Sequence, residues 1–382
     1  MTPEQRLLPT SEARDLLALT AEIGSAELSS RVTAAEESQT FPREVFHLLG
    51  QTGLLGLPYP EEQGGGGQPY QVYLQVIEEL SRHWLAVGMG VSVHVLSCYP
   101  LATAGTSHQQ QQWLADMLGG DLLGAYCLSE TESGSDAASL QTCAKTDGDG
   151  DYTVTGSKAW ITHAGAADFY STMARTGEDG PAGISCLLIP ADAPGLSFGP
   201  PERKMGVRSS VTAQVILDSV PVSSDRLIGA EGQGFRIAMA ALDSGRLGLA
   251  ACAVGVAQAA LDAATDYARQ REQFGRPIGQ FQGVGFLLAD MTAAVAAARA
   301  LYLDAAQRKD AGQSFGQEAA MAKLVATDAA MKVTTDAVQV LGGAGYTQDF
   351  PVERYFREAK LLQIVEGTNQ IQRLVISRGL LR

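Results

Sequence analysis

Apolar residues recur at helical spacing through the first third of the chain, from Thr10 to about Gly119, where they mark a series of amphipathic helices. Within this part the small, apolar stretch Gly88–Val95 predicts a buried helix. Ser107 is expected to be the N-cap of the helix that follows. The first third is therefore predicted to be a helical domain.

The period changes near residue 122, where short runs rich in β-branched and aromatic residues begin. Turn-forming residues separate these runs, as at Asp147–Gly150. Short strands at this spacing predict a small barrel or sandwich. The runs are Leu123–Leu128, Tyr152–Trp160, Gly183–Pro190 and Ala213–Val220.

From Gly229 onward the chain is again periodic at helical spacing, rich in Ala and Leu and poor in Pro. The predicted helices are Phe235–Gln270, Gln280–Lys309, Phe315–Leu341, Val352–Leu361 and Asn369–Leu380. Long helices with short connections predict an antiparallel four-helix bundle. The whole chain is therefore predicted to be an α+β protein with a helical domain at 1–122, a β domain at 123–228 and a helical bundle at 229–382.

Composition narrows the classes of function. The 382 residues carry a formal net charge of −14, which argues against nucleic-acid binding because a nucleic-acid partner needs a basic face. We expect no membrane span, because no apolar run reaches spanning length by inspection, and no secretory leader in Met1–Arg31. Five widely spaced Cys predict free thiols and a cytoplasmic location, and none of them has metal-ligand spacing with His, so we expect no metal.

The chain near its end forms a turn that leads into a helix. Asn369 as N-cap with Gln372 at N3 fits a capping box, and Gly367 permits a sharp bend. Glu366 therefore lies on a loop just before a helix N-terminus, where backbone N–H groups are unpaired. A lone Glu in such a place is usually only a capping charge.

Four further motifs change that interpretation. They are Tyr126–Asp136, Lys158–Gly165, Asp243–Arg246 and a bundle pair consisting of Arg271–Gly275 and Gln339–Tyr346. Each has a plain structural explanation, such as a polar loop, a helix start with an ordinary surface Arg, or a helix C-cap. In this order, with Glu366 in its loop, they resemble the acyl-CoA dehydrogenase family over nearly the whole chain.

The resemblance implies that the first two motifs hold FAD. Ser129 would lie beside the flavin N5, Trp160 would pack against the flavin, and Thr162 would form a hydrogen bond near N5. His163, in the same motif, is assigned no catalytic role and is expected to be a structural or surface residue. The residues implied for FAD, together with the loop after Glu366, are Tyr126, Leu128, Ser129, Gly134, Ser135, Trp160, Ile161, Thr162, Thr368 and Gln370.

The bundle motifs imply more than one subunit, because in the family they reach across an interface to a neighbour's flavin. We therefore expect a homo-oligomer, either a dimer or a tetramer. The residues implied for this role are Arg271, Gln273, Phe274, Gln282, Gln339, Gly342 and Gly343.

The implied reaction is the α,β-dehydrogenation of an acyl thioester, most simply an acyl-CoA, to the trans-2-enoyl thioester. Glu366 would remove the Cα proton as general base, and hydride would pass to flavin N5. Burial should raise the pKa of Glu366 toward neutrality, where a base works best. Some members place this base beside the Arg of the third motif, where this chain has Gly245, so no rival base is present. The residues implied for the substrate are Ser135, Asp243, Arg246, Val365 and Gly367.

Val365 departs from many straight-chain members, which have Tyr before the Glu. The smaller side chain either admits a branched or functionalised acyl group or is compensated by its neighbours, and the sequence does not decide between these. A thioester on an acyl-carrier protein remains an alternative substrate, and a non-catalytic flavin-fold interaction protein is the alternative from another class. The resemblance also implies an electron-transfer flavoprotein as the acceptor.

Overall fold

The protein is described from a computed structural model, which covers residues 6–146 and 150–381. Its class is α+β, as predicted: a helical part, a β part and a second helical part follow one another along the chain. Of the turn predicted at Asp147–Gly150, the first three residues lie outside the described residues.

The first helical part contains seven α-helices, with short π-helical stretches at Gly24–Leu28 and Gln110–Leu114. The α-helices are α1 Ser11–Ile23, α2 Val32–Ser38, α3 Arg43–Gln51, α4 Tyr70–His83, α5 Leu85–Ala104, α6 Ser107–Gln109 and α7 Ala115–Leu118. Helix α5 is buried over nearly its whole length, as predicted for its apolar centre. The predicted N-cap at Ser107 is wrong by one residue, because Thr106 forms a reciprocal capping box with Gln109.

Eight strands form the central sheet, and their order is β6-β7-β3-β2-β4-β5-β8 with β1 beside β4. They are β1 Gly124–Cys127, β2 Cys143–Thr146, β3 Tyr152–Thr162, β4 Phe169–Arg175, β5 Ile184–Pro190, β6 Leu196–Phe198, β7 Thr212–Val222 and β8 Leu227–Ile228. The sequence prediction found β1, β3, β5 and β7 but missed the other four. Strands β1 and β4 pair in parallel, and β1 also packs against helix α5.

The second helical part contains α8 Gly234–Gln270, α9 Gln282–Asp310, α10 Gly316–Leu341, α11 Val352–Leu362 and α12 Asn369–Leu380, with a small hairpin of β9 Glu272–Gln273 and β10 Arg276–Pro277. The motif Asp243–Arg246 was interpreted as a helix start. Asp243 instead lies in the third turn of α8.

Helix α8 is the central element of the packing. Every residue of α8 from Ser244 to Leu261 is buried, and the helix packs against α10, α4 and α5. One large hydrophobic core joins the two helical parts, while a second, smaller core fills the sheet. The residues of α8 near Gly245 consequently face the junction of the three parts.

His163 has a structural role, as predicted. It is fully buried, and its Nδ1 donates to the carbonyl of Gly124 at 2.9 Å. The neighbouring His94 accepts from the backbone N–H of the same glycine at 3.0 Å. Burial lowers the pKa of His94 to about 3 and that of His163 to about 4, so both rings are neutral. His94 joins α5 to β1, and His163 joins the turn after β3 to β1.

Within the described residues, three helices are long and apolar enough to cross a membrane by length and composition alone, contrary to the expectation from inspection. Their apolar stretches in α5 and α8 are 94% and 89% buried inside the protein, so these two are core helices of a bundle. The corresponding stretch of α9 is only 22% buried. A long apolar surface of this kind is typical of a face that meets another protein chain.

Candidate active site

The loop before α12 carries Glu366. The helix begins at Asn369, but its N-cap is Thr368, whose hydroxyl accepts from the N–H of Ile371 at 3.3 Å. The predicted N-cap at Asn369 is therefore wrong by one residue. The amide of Asn369 instead points to α10, where it donates to the hydroxyl of Thr327 at 2.9 Å. The side chain that local pattern assigned to the cap thus fastens the loop to the bundle.

The backbone at Glu366 turns in the left-handed region, with φ of +52° there and +91° at Gly367. A non-glycine residue in this region is uncommon and strained, so the surrounding structure must hold it. Two side chains do so through the carbonyl of Gly367: Lys323 donates from Nζ at 3.0 Å and Gln372 from Nε2 at 2.8 Å. The turn is therefore fixed from α10 and from α12.

The carboxylate of Glu366 is buried, and within the described residues neither oxygen has a hydrogen-bond partner. Burial raises the pKa of Glu366 to about 7, against the opposing effects of Lys323 and Arg246, which lower it. A buried carboxyl group without hydrogen-bond partners is unusual in a folded protein, because nothing offsets the free-energy cost of removing the group from water. The group is thus available to a ligand, with a pKa suited to proton abstraction near neutral pH.

Gly245 makes the space opposite this carboxylate. A Cβ atom at this position would lie 2.2 Å from Glu366 Oε2, closer than real Cβ contacts. Gly245 also lines a cavity of 270 Å³ together with Ser92, Leu96 and Tyr99, so the Glu366 carboxylate adjoins a cavity with mostly apolar walls. A larger cleft of 470 Å³ lies between α2 and α11 and contains none of the predicted site residues.

Charged groups of α8 and α9 lie near this cavity, and one of them, Lys309, lines it. Arg246 is buried and forms an ion pair with Asp243, which leaves Arg246 Nε without a partner within the described residues. Lys309 donates to the hydroxyl of Ser244 and lies 3.9 Å from the centre of the Tyr70 ring. Sequence reasoning found the first pair but missed Lys309, because nothing in the local pattern of α9 separates it from a surface lysine.

The end of β1 and the middle of β3 form an adjacent surface. The carbonyl of Ser129 accepts from the N–H of Ala159 at 2.9 Å, which brings Ser129 beside Trp160. The indole of Trp160 is 63% exposed, and its backbone is left-handed with φ of +62°. The hydroxyl of Tyr126 is buried without a partner within the described residues. Burial raises the pKa of Tyr126, and the charge of Glu366 adds a smaller effect in the same direction. The effect of Glu366 on Tyr126 indicates that this surface lies near the Glu366 carboxylate.

These residues fit a flavin. An exposed indole, a buried hydroxyl without a partner, and the hydroxyls of Ser129 and Thr162 offer one flat apolar face and several polar groups, which is what a planar ring with polar edges requires. Behind them the Glu130 carboxylate accepts from Lys158 Nζ at 2.8 Å, so the loop is held rigidly. Of the other predicted residues in this set, Leu128 and Ile161 are buried and shape the surface from below, while Gly134, Ser135 and Gln370 are exposed.

The second predicted cofactor group is exposed to solvent on the single chain. Phe274 is 94% exposed at a left-handed position, φ +53°, in the loop of the small hairpin. Gly342 is the C-cap of α10 with φ of +62°, so this glycine has the structural role of ending the helix, independently of any role in a cofactor site. In residues 6–146 and 150–381, no hydrogen bond joins this group to the Glu366 loop. The exposed members are Arg271, Gln273, Phe274, Gln282, Gln339, Gly342 and Gly343.

Of the predicted substrate residues, Val365 is half-buried and packs against the large core. It does not line the 270 Å³ cavity, so its two interpretations both remain predictions.

Three family models match the chain in succession. They describe the N-terminal domain, the middle domain and the C-terminal domain of acyl-CoA dehydrogenases, and they cover residues 10–121, 125–220 and 232–381.

Similar proteins match over nearly the full length. An acyl-CoA dehydrogenase of Bacillus subtilis is 46% identical over 93% of this chain and 94% of its own. The short-chain-specific acyl-CoA dehydrogenase of Megasphaera elsdenii is 40% identical over 98% and 99%. The solved structure of butyryl-CoA dehydrogenase from M. elsdenii superposes with a TM-score of 0.97, at 40% identity, covering 99% of this chain and 100% of that one.

A chain in the structure described as the electron transferring flavoprotein of Acidaminococcus fermentans matches with a TM-score of 0.96 and 42% identity, over 99% of this chain and 100% of that chain. Fold, motifs and full-length similarity agree. The chain belongs to the acyl-CoA dehydrogenase family.

Proposed function

We propose that Glu366 is the general base of this acyl-CoA dehydrogenase. The observation that carries the proposal is a buried carboxylate with no hydrogen-bond partner in the described part of the chain, which adjoins a cavity through Gly245. Its pKa of about 7 leaves a large fraction ionised near neutral pH, while the base stays strong enough to take a proton from carbon. Arg246 and Lys323 keep positive charge nearby, which favours the ionised form.

The enzyme depends on FAD, as its family does. When bound, FAD supplies the acceptor for the two electrons removed from the substrate. We assign the surface formed by Tyr126, Ser129, Trp160 and Thr162 to hold it, because that surface lies beside the base and fits a planar ring. The chain's own contribution is to place the base, exclude water and orient the thioester.

The substrate is proposed to be a short-chain acyl-CoA. The M. elsdenii relative and the bovine mitochondrial relative, which is 42% identical over 93% of this chain, are both named short-chain specific. The cavity beside Gly245 has mostly apolar walls but includes the ammonium group of Lys309, which disfavours contact with a long alkyl chain. A carrier-protein thioester is the alternative, and the substrate panel below distinguishes the two.

We further propose that the enzyme is a cytoplasmic homo-oligomer that passes electrons to an electron-transfer flavoprotein. The weakly buried apolar surface of α9 supports contact with a second copy, and the exposed set around Phe274 supports a shared cofactor site. The similarity to the A. fermentans chain supports the acceptor, and five free cysteines support a reducing compartment.

The test replaces the base by an amide of the same shape. Glu366→Gln is expected to fold, to bind FAD at the wild-type stoichiometry and to lose at least about 10³-fold in kcat, because the base is gone while the cavity is unchanged. The exposed Glu62→Gln serves as the control and should retain full activity. Normal turnover by Glu366→Gln would overturn the assignment.

A further inference from the structure

The Lys323 side chain is unusual for its position. It lies in the middle of α10, between alanine and leucine, and is fully buried in the described structure. A buried lysine without a partner is costly, so its ammonium group must have a reason to be there. Its two acceptors are the carbonyl of Gly367 at 3.0 Å and Oδ1 of Asn369 at 2.9 Å. Both acceptors belong to the segment that carries Glu366.

These contacts place a positive charge directly behind the base. The carbonyl that Lys323 binds belongs to the residue after Glu366, at the strained left-handed turn. Gln372 supplies a second donor to the same carbonyl, but it is neutral. Lys323 is the first of the two cations that favour the ionised form of Glu366, ahead of Arg246.

We propose that Lys323 is a positioning residue for the base: its ammonium group fixes the turn that aims Glu366 into the cavity, and its charge holds the Glu366 carboxylate ionised. The inference rests on the proposed role of Glu366. It assigns Lys323 no contact with substrate or flavin.

Other groups around Lys323 and Glu366 do not replace the positive charge of Lys323. Arg246 reaches Glu366 from α8, but its guanidinium is already paired with Asp243. The tyrosines that face Glu366 from α4 and β1 have pKa values raised by burial and are neutral. The thiol of Cys252 on α8 is likewise neutral because burial raises its pKa to about 12. Burial lowers the pKa of Lys323 to about 8, and the charges of Glu366 and Asp328 oppose this shift. Asp328 is itself bound to Arg373 and to the amide of Asn369.

Both functions of Lys323 are separable by substitution. Lys323→Gln removes the charge but keeps an N–H donor, Lys323→Met removes both, and Lys323→Arg keeps the charge. Lys332→Gln is the matched control, because Lys332 lies on the same helix and is exposed.

We expect the acidic limb of the pH profile of kcat/KM to move to higher pH in Lys323→Gln and Lys323→Met. A shift of about half a pH unit or more would lower kcat/KM at pH 6 by about threefold, with no such loss in Lys332→Gln. The plateau of kcat/KM at high pH should be retained in Lys323→Gln. It should be reduced in Lys323→Met, where the Glu366 turn also loses the hydrogen-bond donor of residue 323. Lys323→Arg should restore the position of the limb.

A measurement without substrate keeps the inference separate from the proposed reaction. Protonation of the Glu366 carboxyl is followed by infrared difference spectroscopy against pH, with the matching Glu366→Gln protein as the reference. In Lys323→Gln this carboxyl should stay protonated to higher pH than in the wild type. If no acyl thioester is oxidised by the wild type, the proposed function fails, while this titration still reports on Lys323.

The inference is overturned if the carboxyl band and the pH limb of folded, flavin-bound Lys323→Gln coincide with those of the wild type. It is also overturned if Lys323→Gln loses only the plateau, which is the result for a lysine that merely supports the fold. If Lys323→Met does not fold, Lys323→Gln and Lys323→Arg carry the comparison.

Discussion

Replacing Gly245 by alanine tests whether the space opposite the Glu366 carboxylate is required for activity. The added Cβ would lie 2.2 Å from Glu366 Oε2, whereas ordinary contact begins at 3.4 Å, so the carboxylate must retreat by about 1.2 Å. The obstructing atom is the far end of a flexible side chain, which moves more easily than backbone. The substitution therefore displaces the base while leaving the path of α8 intact.

The size of the effect follows from that displacement. A misplacement of about 1 Å at a reacting group costs about 10²-fold in rate, or about 2.7 kcal/mol in the activation free energy. Alanine is a better helix former than glycine by about 1 kcal/mol, so a loss of helix stability is not the expected cause. Gly245→Ala should accordingly keep its fold and its FAD and lose about 10²-fold in kcat.

The assay is the steady-state oxidation of the best acyl-CoA substrate at the pH plateau, with flavin content measured on the same sample. Gly177→Ala is the control, since Gly177 is exposed in the loop after β4 and a Cβ there would come no closer than 3.3 Å to any atom of the described residues beyond its two chain neighbours. If Gly245→Ala holds its flavin and remains within threefold of the wild type, the geometry assigned to the base is refuted.

Three further predictions concern pH and the cofactor. Because burial raises the pKa of Glu366 to about 7, kcat/KM should fall about tenfold per pH unit well below pH 7 and level off above it; a profile flat down to pH 5 would contradict this. Burial lowers the pKa values of His94 and His163 in the folded protein. Below the ordinary His pKa of 6.5 the unfolded state therefore binds more protons than the folded state, so the free energy of unfolding decreases as the pH falls below 6.5. At pH 5.5 the loss is about 1.4 kcal/mol for each ring, and His163→Gln should reduce the pH dependence of urea unfolding by about that amount, whereas an unchanged dependence would argue against a buried neutral ring. Phe274→Ala should lower FAD occupancy and leave the turnover per bound FAD unchanged; full occupancy would argue against a shared cofactor site.

The long helices of the bundle were predictable because their patterns are strong. The ends predicted for α8 and α10 agree with the structure to within one residue, since the apolar spacing is continuous and the ends carry clear breaks. Strand β4 was missed for the opposite reason: six of its seven residues are buried, so both faces are apolar or small and no alternation marks it. A strand buried on both faces has no period for sequence reasoning to find.

The candidate site was predictable in its parts and not in its arrangement. A turn residue and a capping pattern placed Glu366 just before a helix, and the resemblance to the acyl-CoA dehydrogenase family gave it a role, although the cap itself is Thr368. Lys323 was not found, because in sequence it is an ordinary helix lysine and only the packing of α10 against the loop brings it to Gly367. The local pattern records only neighbours along the chain, whereas Lys323 lies 44 residues before Gly367, whose carbonyl it binds.

The central claim is that Glu366 starts the oxidation of an acyl-CoA by the bound flavin. In the most direct measurement, the purified protein is mixed anaerobically with straight, branched and carboxylated acyl-CoAs, and the flavin absorbance is followed at about 450 nm. The account predicts that short-chain acyl-CoAs bleach the wild type rapidly and leave flavin-bound Glu366→Gln unbleached. Bleaching of Glu366→Gln at the wild-type rate, or a flavin-loaded wild type that no acyl-CoA bleaches, would contradict it.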